Sequence, residues 1–139
     1  MKRKGKRIEA IGLGLITILL LTMCHEVLAQ DQTAFRHFNK KDGLSQGSVF
    51  SVAQDASGFM WFGTRDGLNK YDGYRFTVYR NNISNANSLI ANDVRTLYFD
   101  PTEEQLWIGT LDGLSRYHAS KDAFINYTTK EGLSSNSIR

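Results

Sequence analysis

The sequence has one cysteine, Cys24, and one proline, Pro101. A lone thiol excludes an intrachain disulfide and any thiolate metal cluster, and past residue 30 there is no thiol to act as a nucleophile. A sustained helical period is also missing beyond the first thirty residues, which argues against bundles and βαβ units. Apolar runs are scarce. The one of note, "IGLGLITILLLTM" from Ile11 to Met23, is shorter than the roughly 20 residues a spanning helix needs. Charge of one sign is lacking too. Of seventeen basic residues five precede residue 8, and of fourteen acidic residues two, Glu9 and Glu26, precede residue 30. The remainder holds twelve of each, so the net positive charge belongs to the N-terminus and no nucleic-acid partner is expected.

What is present at the start is a basic patch (Lys2, Arg3, Lys4, Lys6, Arg7), the apolar run, and "VLAQ" with small residues at Val27 and Ala29. This order predicts a secretory signal peptide over 1–29, cut between Ala29 and Gln30. The mature chain is then expected to be exported to the periplasm and to meet the membrane only through its leader. Met23 is larger than the small residue that lipoprotein processing at Cys24 would want.

Two stretches nearly repeat: "MWFGTRDGLNKYDGYRF" (Met60 to Phe76) and "LWIGTLDGLSRYHASKDAF" (Leu106 to Phe124). Trp61, Gly63, Thr64, Asp66, Gly67, Leu68 and Tyr71 recur as Trp107, Gly109, Thr110, Asp112, Gly113, Leu114 and Tyr117, each 46 residues on. Upstream, Val49 and Asp55 recur as Val94 and Asp100 at an offset of 45, and "EGLSSNSIR" at the end echoes "DGLSQGSVF". Each copy divides into four short apolar or alternating runs separated by turn residues such as Asp-Gly, the chemistry of tight hairpins. Four antiparallel strands in about 45 residues is the period of a β-propeller blade.

The expected fold class is therefore all-β: a β-propeller fragment of about two blades, one orphan strand and the opening of a third blade. "FRHFNKKDGL" (Phe35 to Leu44) matches "FINYTTKEGL" (Phe124 to Leu133). The predicted organisation is a closing strand over 30–44, blades over 45–87 and 88–130, and the start of another blade over 131–139. Trp61 and Trp107 recur in register, as packing residues between blades would and ligand-stacking aromatics would not. Gly63 and Gly109 are expected to permit close sheet approach.

The doubled W-[FI]-G-T-x-D-G-L segment, followed by a basic residue and Tyr, resembles the two-component regulator propeller repeat. "DGLSQGSVFSVAQDASGFMWFGT" is similar to the start of the extracytoplasmic region of hybrid two-component sensors of Bacteroidetes. The resemblance implies a longer protein with further blades, a β-sandwich module, a membrane span and a histidine kinase, sensing a glycan fragment or related nutrient. It implies as partners the remaining blades, an oligosaccharide and a second protomer. No kinase, receiver or DNA-binding residues lie within these 139, so no enzymatic activity is expected of them.

The search for chemistry yields little. His37 and His118 lack metal-ligand spacing, the aspartates sit in turns, and nucleophile-elbow and phosphate-loop motifs are absent. Neither cofactor nor metal is expected. "NIS" and "NYT" are formal sequons. In a propeller the turns between the second and third strands of each blade and the inter-blade connections emerge on one face, which nominates Arg65, Asp66 and Asp112 with Asn85 and Asn87 of the polar linker "NNISNANSLIAND" as ligand-binding residues. A fragment of a propeller enzyme and a plain interaction propeller are the alternatives; neither inner-strand His, Asp or Tyr clusters nor Gly-His and Trp-Asp marks occur.

Overall fold

The computed structural model describes residues 35–139. The chain divides into two units, Met1–Arg36 and His37–Arg139, and the second carries the described architecture. The expected leader and the cleavage point at Ala29 and Gln30 lie outside the described residues. Among the described residues no helix is long and apolar enough to cross a membrane.

The apolar runs become eight strands: β1 (Val49–Gln54), β2 (Met60–Thr64), β3 (Gly67–Tyr71), β4 (Phe76–Tyr79), β5 (Val94–Asp100), β6 (Gln105–Thr110), β7 (Leu114–His118) and β8 (Ala123–Tyr127). They form two four-stranded antiparallel meanders, β1 to β4 and β5 to β8. The Gly-Thr-x-Asp-Gly signature explains the β2–β3 turn. Thr64 Oγ1 donates to the Gly67 carbonyl at 2.9 Å and accepts the Asp66 N–H at 3.0 Å, and Thr110 does the same at 2.8 and 3.2 Å. Gly67, at φ 107°, supplies the left-handed residue that a larger side chain resists.

The two sheets stack face to face, with β1 beside β5 and the Leu97 N–H donating to Ser51 Oγ at 3.0 Å. Equivalent positions show what covers what. Val94 and Leu97 on β5 are 0% and 9% exposed, whereas their counterparts on β1, Val49 and Val52, are 37% and 50% exposed. The residues are alike; only the β5 pair has a preceding sheet against it. The sheets approach closely at Gly63, where a Cβ would lie 2.7 Å from Val94 Cγ1, and at Gly109 a Cβ would lie 2.7 Å from Ile138 Cγ2 of the C-terminal segment. Gly63→Ala is accordingly expected to destabilise the fold by about 1–3 kcal/mol through overpacking. Chemical denaturation of the protein would measure it, and an unshifted midpoint would mean the sheets part freely there.

No strand is assigned over 35–44, the described part of the expected closing strand. The segment instead holds a 3₁₀ turn, Lys40–Asp42, whose capping box pairs Asn39 with Asp42. A strand needs a hydrogen-bonded neighbour, and among the described residues no strand pairs with this segment. Its packing is nonetheless that of an outer strand. Phe38 lies 4.8 Å from Tyr71 and 5.3 Å from Phe76, as Tyr79 lies 5.8 Å from Tyr117 and 5.4 Å from Phe124 one blade later. The turn recurs too, at Thr129–Glu131, with the same capping box. Ser45 then anchors the segment to the first sheet: its N–H donates to Asn69 Oδ1 at 2.8 Å, and its hydroxyl meets Thr64 Oγ1 at 2.9 Å in a buried polar cluster.

Candidate functional site

A meander places its turns at two ends. The β2–β3 and β6–β7 turns and the linker lie at one; the β1–β2, β3–β4, β5–β6 and β7–β8 turns lie at the other. The residues nominated from sequence belong to the first end, and they do not converge. Asp66 is engaged by Arg80, with contacts of 3.1 and 2.9 Å, and that guanidinium's hydrogen bond holds its carboxyl below the usual range. Arg65 is exposed and projects over the Phe50 ring, 5.6 Å from its centroid. Asp112 is exposed and its N–H binds Thr110 Oγ1. Asn85 closes an Asx turn by accepting the Asn87 N–H at 3.0 Å, and the Asn87 carbonyl accepts the Phe124 N–H of β8 at 2.8 Å. Asn85 and Asn87 thus sit along the outermost strand of the second sheet, whereas Arg65 meets β1 of the first. One four-stranded sheet alone is about 14 Å wide, from three spacings of about 4.8 Å.

The Asn and Ser side chains that suggested a sugar-binding linker serve the linker itself. Asn81 Nδ2 donates to the carbonyls of Leu89 and Ile90, both at 2.9 Å, and the Asn82 N–H donates to Ser88 Oγ at 2.9 Å. Asn126, the sequon residue on β8, donates to the Ser88 carbonyl at 2.9 Å.

Two features at this end were not legible from spacing. Phe50 and Arg95 are the extra residues at a register shift in β1 and in β5, the same bulge in both sheets. Bulges re-aim side chains, and Arg95 lies over Phe50 with its guanidinium carbon 4.6 Å from the ring centroid. Arg95 is itself held by Asp93 at 2.7 Å.

The opposite end has a groove between the two sheets. Its deeper part is a cavity of about 130 Å³ walled by Phe59, Trp61, Phe99 and Tyr117, with Asp55 and Lys70 at its polar edge. It adjoins a wider hollow of about 360 Å³ that shares Phe59, Lys70 and Tyr117 and adds Tyr79 and Asp122. Trp61 is fully buried, its indole N–H donating to Asp55 Oδ2 at 2.8 Å, its rings 4.8 Å from Tyr117 and 6.0 Å from Tyr79. Asp55 also caps the β1–β2 turn by accepting the N–H groups of Ser57 and Phe59, each at 3.0 Å.

Asp122 ties the sheets together. It sits in the left-handed region at φ 48°, and its Oδ1 accepts from Tyr79 of the first sheet at 2.6 Å and from Tyr117 of the second at 2.7 Å. These two phenols, the Tyr79 bond foremost, hold the Asp122 carboxyl below its ordinary value. Burial, reinforced by the same carboxylate, raises Tyr117 to about 12 and raises Tyr79 as well, so both remain donors at neutral pH. Lys70, directly opposite Trp61 across the β2–β3 ladder, places its ammonium 4.1 Å from the Phe59 ring centroid, 5.2 Å from Trp61 and 5.8 Å from Tyr117. Its counterpart Arg116 lies 5.7 Å from Trp107. The repeated basic residue before Tyr was the sequence signal for this arrangement. Among the described residues no cluster of three His, Cys, Asp or Glu side chains is placed to hold a metal.

Stacked four-stranded antiparallel meanders, one per repeat and tied by in-register aromatics, are blades of a β-propeller. Residues 43–66 match the family described as "Two component regulator propeller". Among solved structures, the chain is similar to the extracellular domain described as that of hybrid two component system BT3049 of B. thetaiotaomicron, at 34% identity and a TM-score of 0.66 over 73% of this chain. It is also similar to the extracellular domain of BT4673 of the same organism, at 30% identity and a TM-score of 0.54 over 68% of this chain. The chain spans 15% and 14% of those structures' lengths. No curated protein matches it.

Proposed function

We propose that this chain is the N-terminal part of the ligand-sensing propeller of a hybrid two-component sensor, exported to the periplasm by its leader and without catalytic activity of its own. In this reading the remaining blades complete the ring, a glycan fragment or related nutrient is the ligand, and a dimer carries the signal across the membrane to a kinase. The single observation that supports it most is the 34% identity to the extracellular domain of a hybrid two-component system over 73% of this chain. The sheets uncovered at β1 fit it as well, since a propeller buries every such face but leaves loops free to bind.

The test is made in the bacterium. Excising residues 49–127 in frame from the chromosomal gene should abolish the induction of neighbouring transcripts by purified polysaccharides, by at least tenfold, with the protein still present by immunoblot. Unchanged induction would overturn the sensing role. Alanine changes at Arg65 and Asn85 test the loop residues directly. If they shift ligand affinity by less than about twofold, under 0.5 kcal/mol, the linker end is not the binding surface.

A further inference from the structure

The groove between the sheets differs from the molecule's other surfaces in having both of its walls within the described residues. The face around Trp107 and the patch around Phe50 each have one wall. Three rings surround the Lys70 ammonium, yet no carboxylate forms an ion pair with it among the described residues. The ring faces satisfy its charge but not its three N–H donors, which need oxygen acceptors. Asp122 is complementary: its Oδ1 takes both phenols, and the residue lines the hollow beside Lys70. Glu104 borders the inner cavity from the β5–β6 turn, in the left-handed region at φ 53°.

We propose that this groove binds one or two residues of a neutral glycan, with the sugar's apolar ring face on Phe59 and Phe99 and its hydroxyls shared between Lys70, Asp122 and Glu104. The inference rests on the sensing role proposed above and names the ligand's class and its seat. Size agrees: the hollow of about 360 Å³ is at the lower end of the roughly 300–1,000 Å³ typical of ligand pockets. Charge decides the class. One ammonium faces the carboxylates of Asp55, Glu104 and Asp122, with Asp72 already paired to Arg75 at 3.5 Å, so a uronate or sulfated sugar entering here meets net repulsion, and a neutral sugar does not. A hydroxyl can accept from Lys70 and donate to a carboxylate at once, which is what a groove carrying both groups requires. The site is at the opposite end of the blades from Arg65 and Asn85.

The experiment is calorimetric titration of the intact exported domain with maltose, cellobiose, xylobiose and chitobiose, and with glucuronate as the anionic comparator. At least one neutral disaccharide should bind, and Lys70→Met, whose thioether keeps the contact with the rings, should weaken it at least tenfold. Glu104→Gln, an exposed change that spares the core, should weaken it at least threefold, while Arg65→Ala and Asn85→Ala stay within twofold. The near-ultraviolet dichroism of buried Trp61 reports that each variant is folded. Neutral-sugar binding unaffected by both Lys70→Met and Glu104→Gln overturns the groove, as does glucuronate binding more tightly than every neutral probe. Binding of none of the probes, with transcriptional induction intact, also overturns the groove and leaves the sensing role standing. Loss of the sensing role itself shows as unchanged induction in the excision strain.

Discussion

Trp61→Ala should destabilise the protein by about 3–5 kcal/mol, the range for deleting a large aromatic from a core. Against a typical domain stability of about 5–15 kcal/mol, that removes a large part of the total. Trp61 is 0% exposed, touches rings of both sheets, and uses its indole N–H to hold the Asp55 turn, so its loss opens a cavity and leaves a carboxylate short of a donor. Trp107 is the informative comparison. It holds the equivalent position on β6 and keeps its contact with Tyr127 at 5.9 Å, but it is only half-buried, having no following sheet against it. Trp107→Ala in the 139-residue chain should therefore lower the denaturation midpoint by clearly less. Equal losses in the two variants would show that the stacking of one blade on the next is not what buries Trp61.

The second large effect is at the Asp122 bridge. Asp122→Ala leaves the Tyr79 and Tyr117 hydroxyls without their acceptor, at about 1–3 kcal/mol for unsatisfied polar groups. Because Asp122 is itself exposed, water can replace it in part, and the lower half of that range is expected. The pH dependence follows from the direction of its shift. The folded carboxyl titrates below the unfolded value of about 3.9, so the folded state binds fewer protons than the unfolded one near that pH. Its stabilisation is fully present above about pH 4 and is lost as pH falls through the folded value. Asp122→Asn keeps an oxygen that can accept both phenols but cannot titrate, so stability below pH 4 should fall less steeply than in the parent. Asp66 is also depressed, but its bond to Arg80 lies on side chains 46% and 47% exposed, where solvent screens the pair. Asp66→Asn should change the acid slope less. A larger change there than at Asp122 would displace the bridge as the principal acid-sensitive contact.

Much of the fold was legible because its causes are local. Alternation at a period of two names a strand whatever covers it, and an Asp-Gly pair after Gly-Thr names a hairpin because the glycine takes positive φ and the threonine hydroxyl closes the turn. The 46-residue offset then requires two copies of one unit, in which Trp61 is fully buried and Gly63 lies against Val94 of the second sheet. The candidate site was far less legible. Arg65, Asp66, Asp112, Asn85 and Asn87 share an end of the blades by topology, but topology says nothing of lateral distance, and the asparagines went to the outer edge. Phe59, Lys70 and Asp122 escaped notice for the converse reason. Phe59 and Lys70 are 11 residues apart and meet across neighbouring strands of the first sheet, and Asp122, 52 residues beyond Lys70, joins them only once the second sheet lies on the first.

By itself the sequence determined that this protein is made of repeated four-stranded antiparallel units, and which residues recur in register between them. Hairpin geometry and side-chain alternation act over a few residues, so they survive without knowledge of the whole. The tertiary structure alone decided which of two like valines is covered, that two tyrosines from different blades converge on Asp122, and that Lys70 sits among three rings beside open space. Those outcomes depend on how one twisted sheet seats on another, which is set by contacts between residues far apart in the chain.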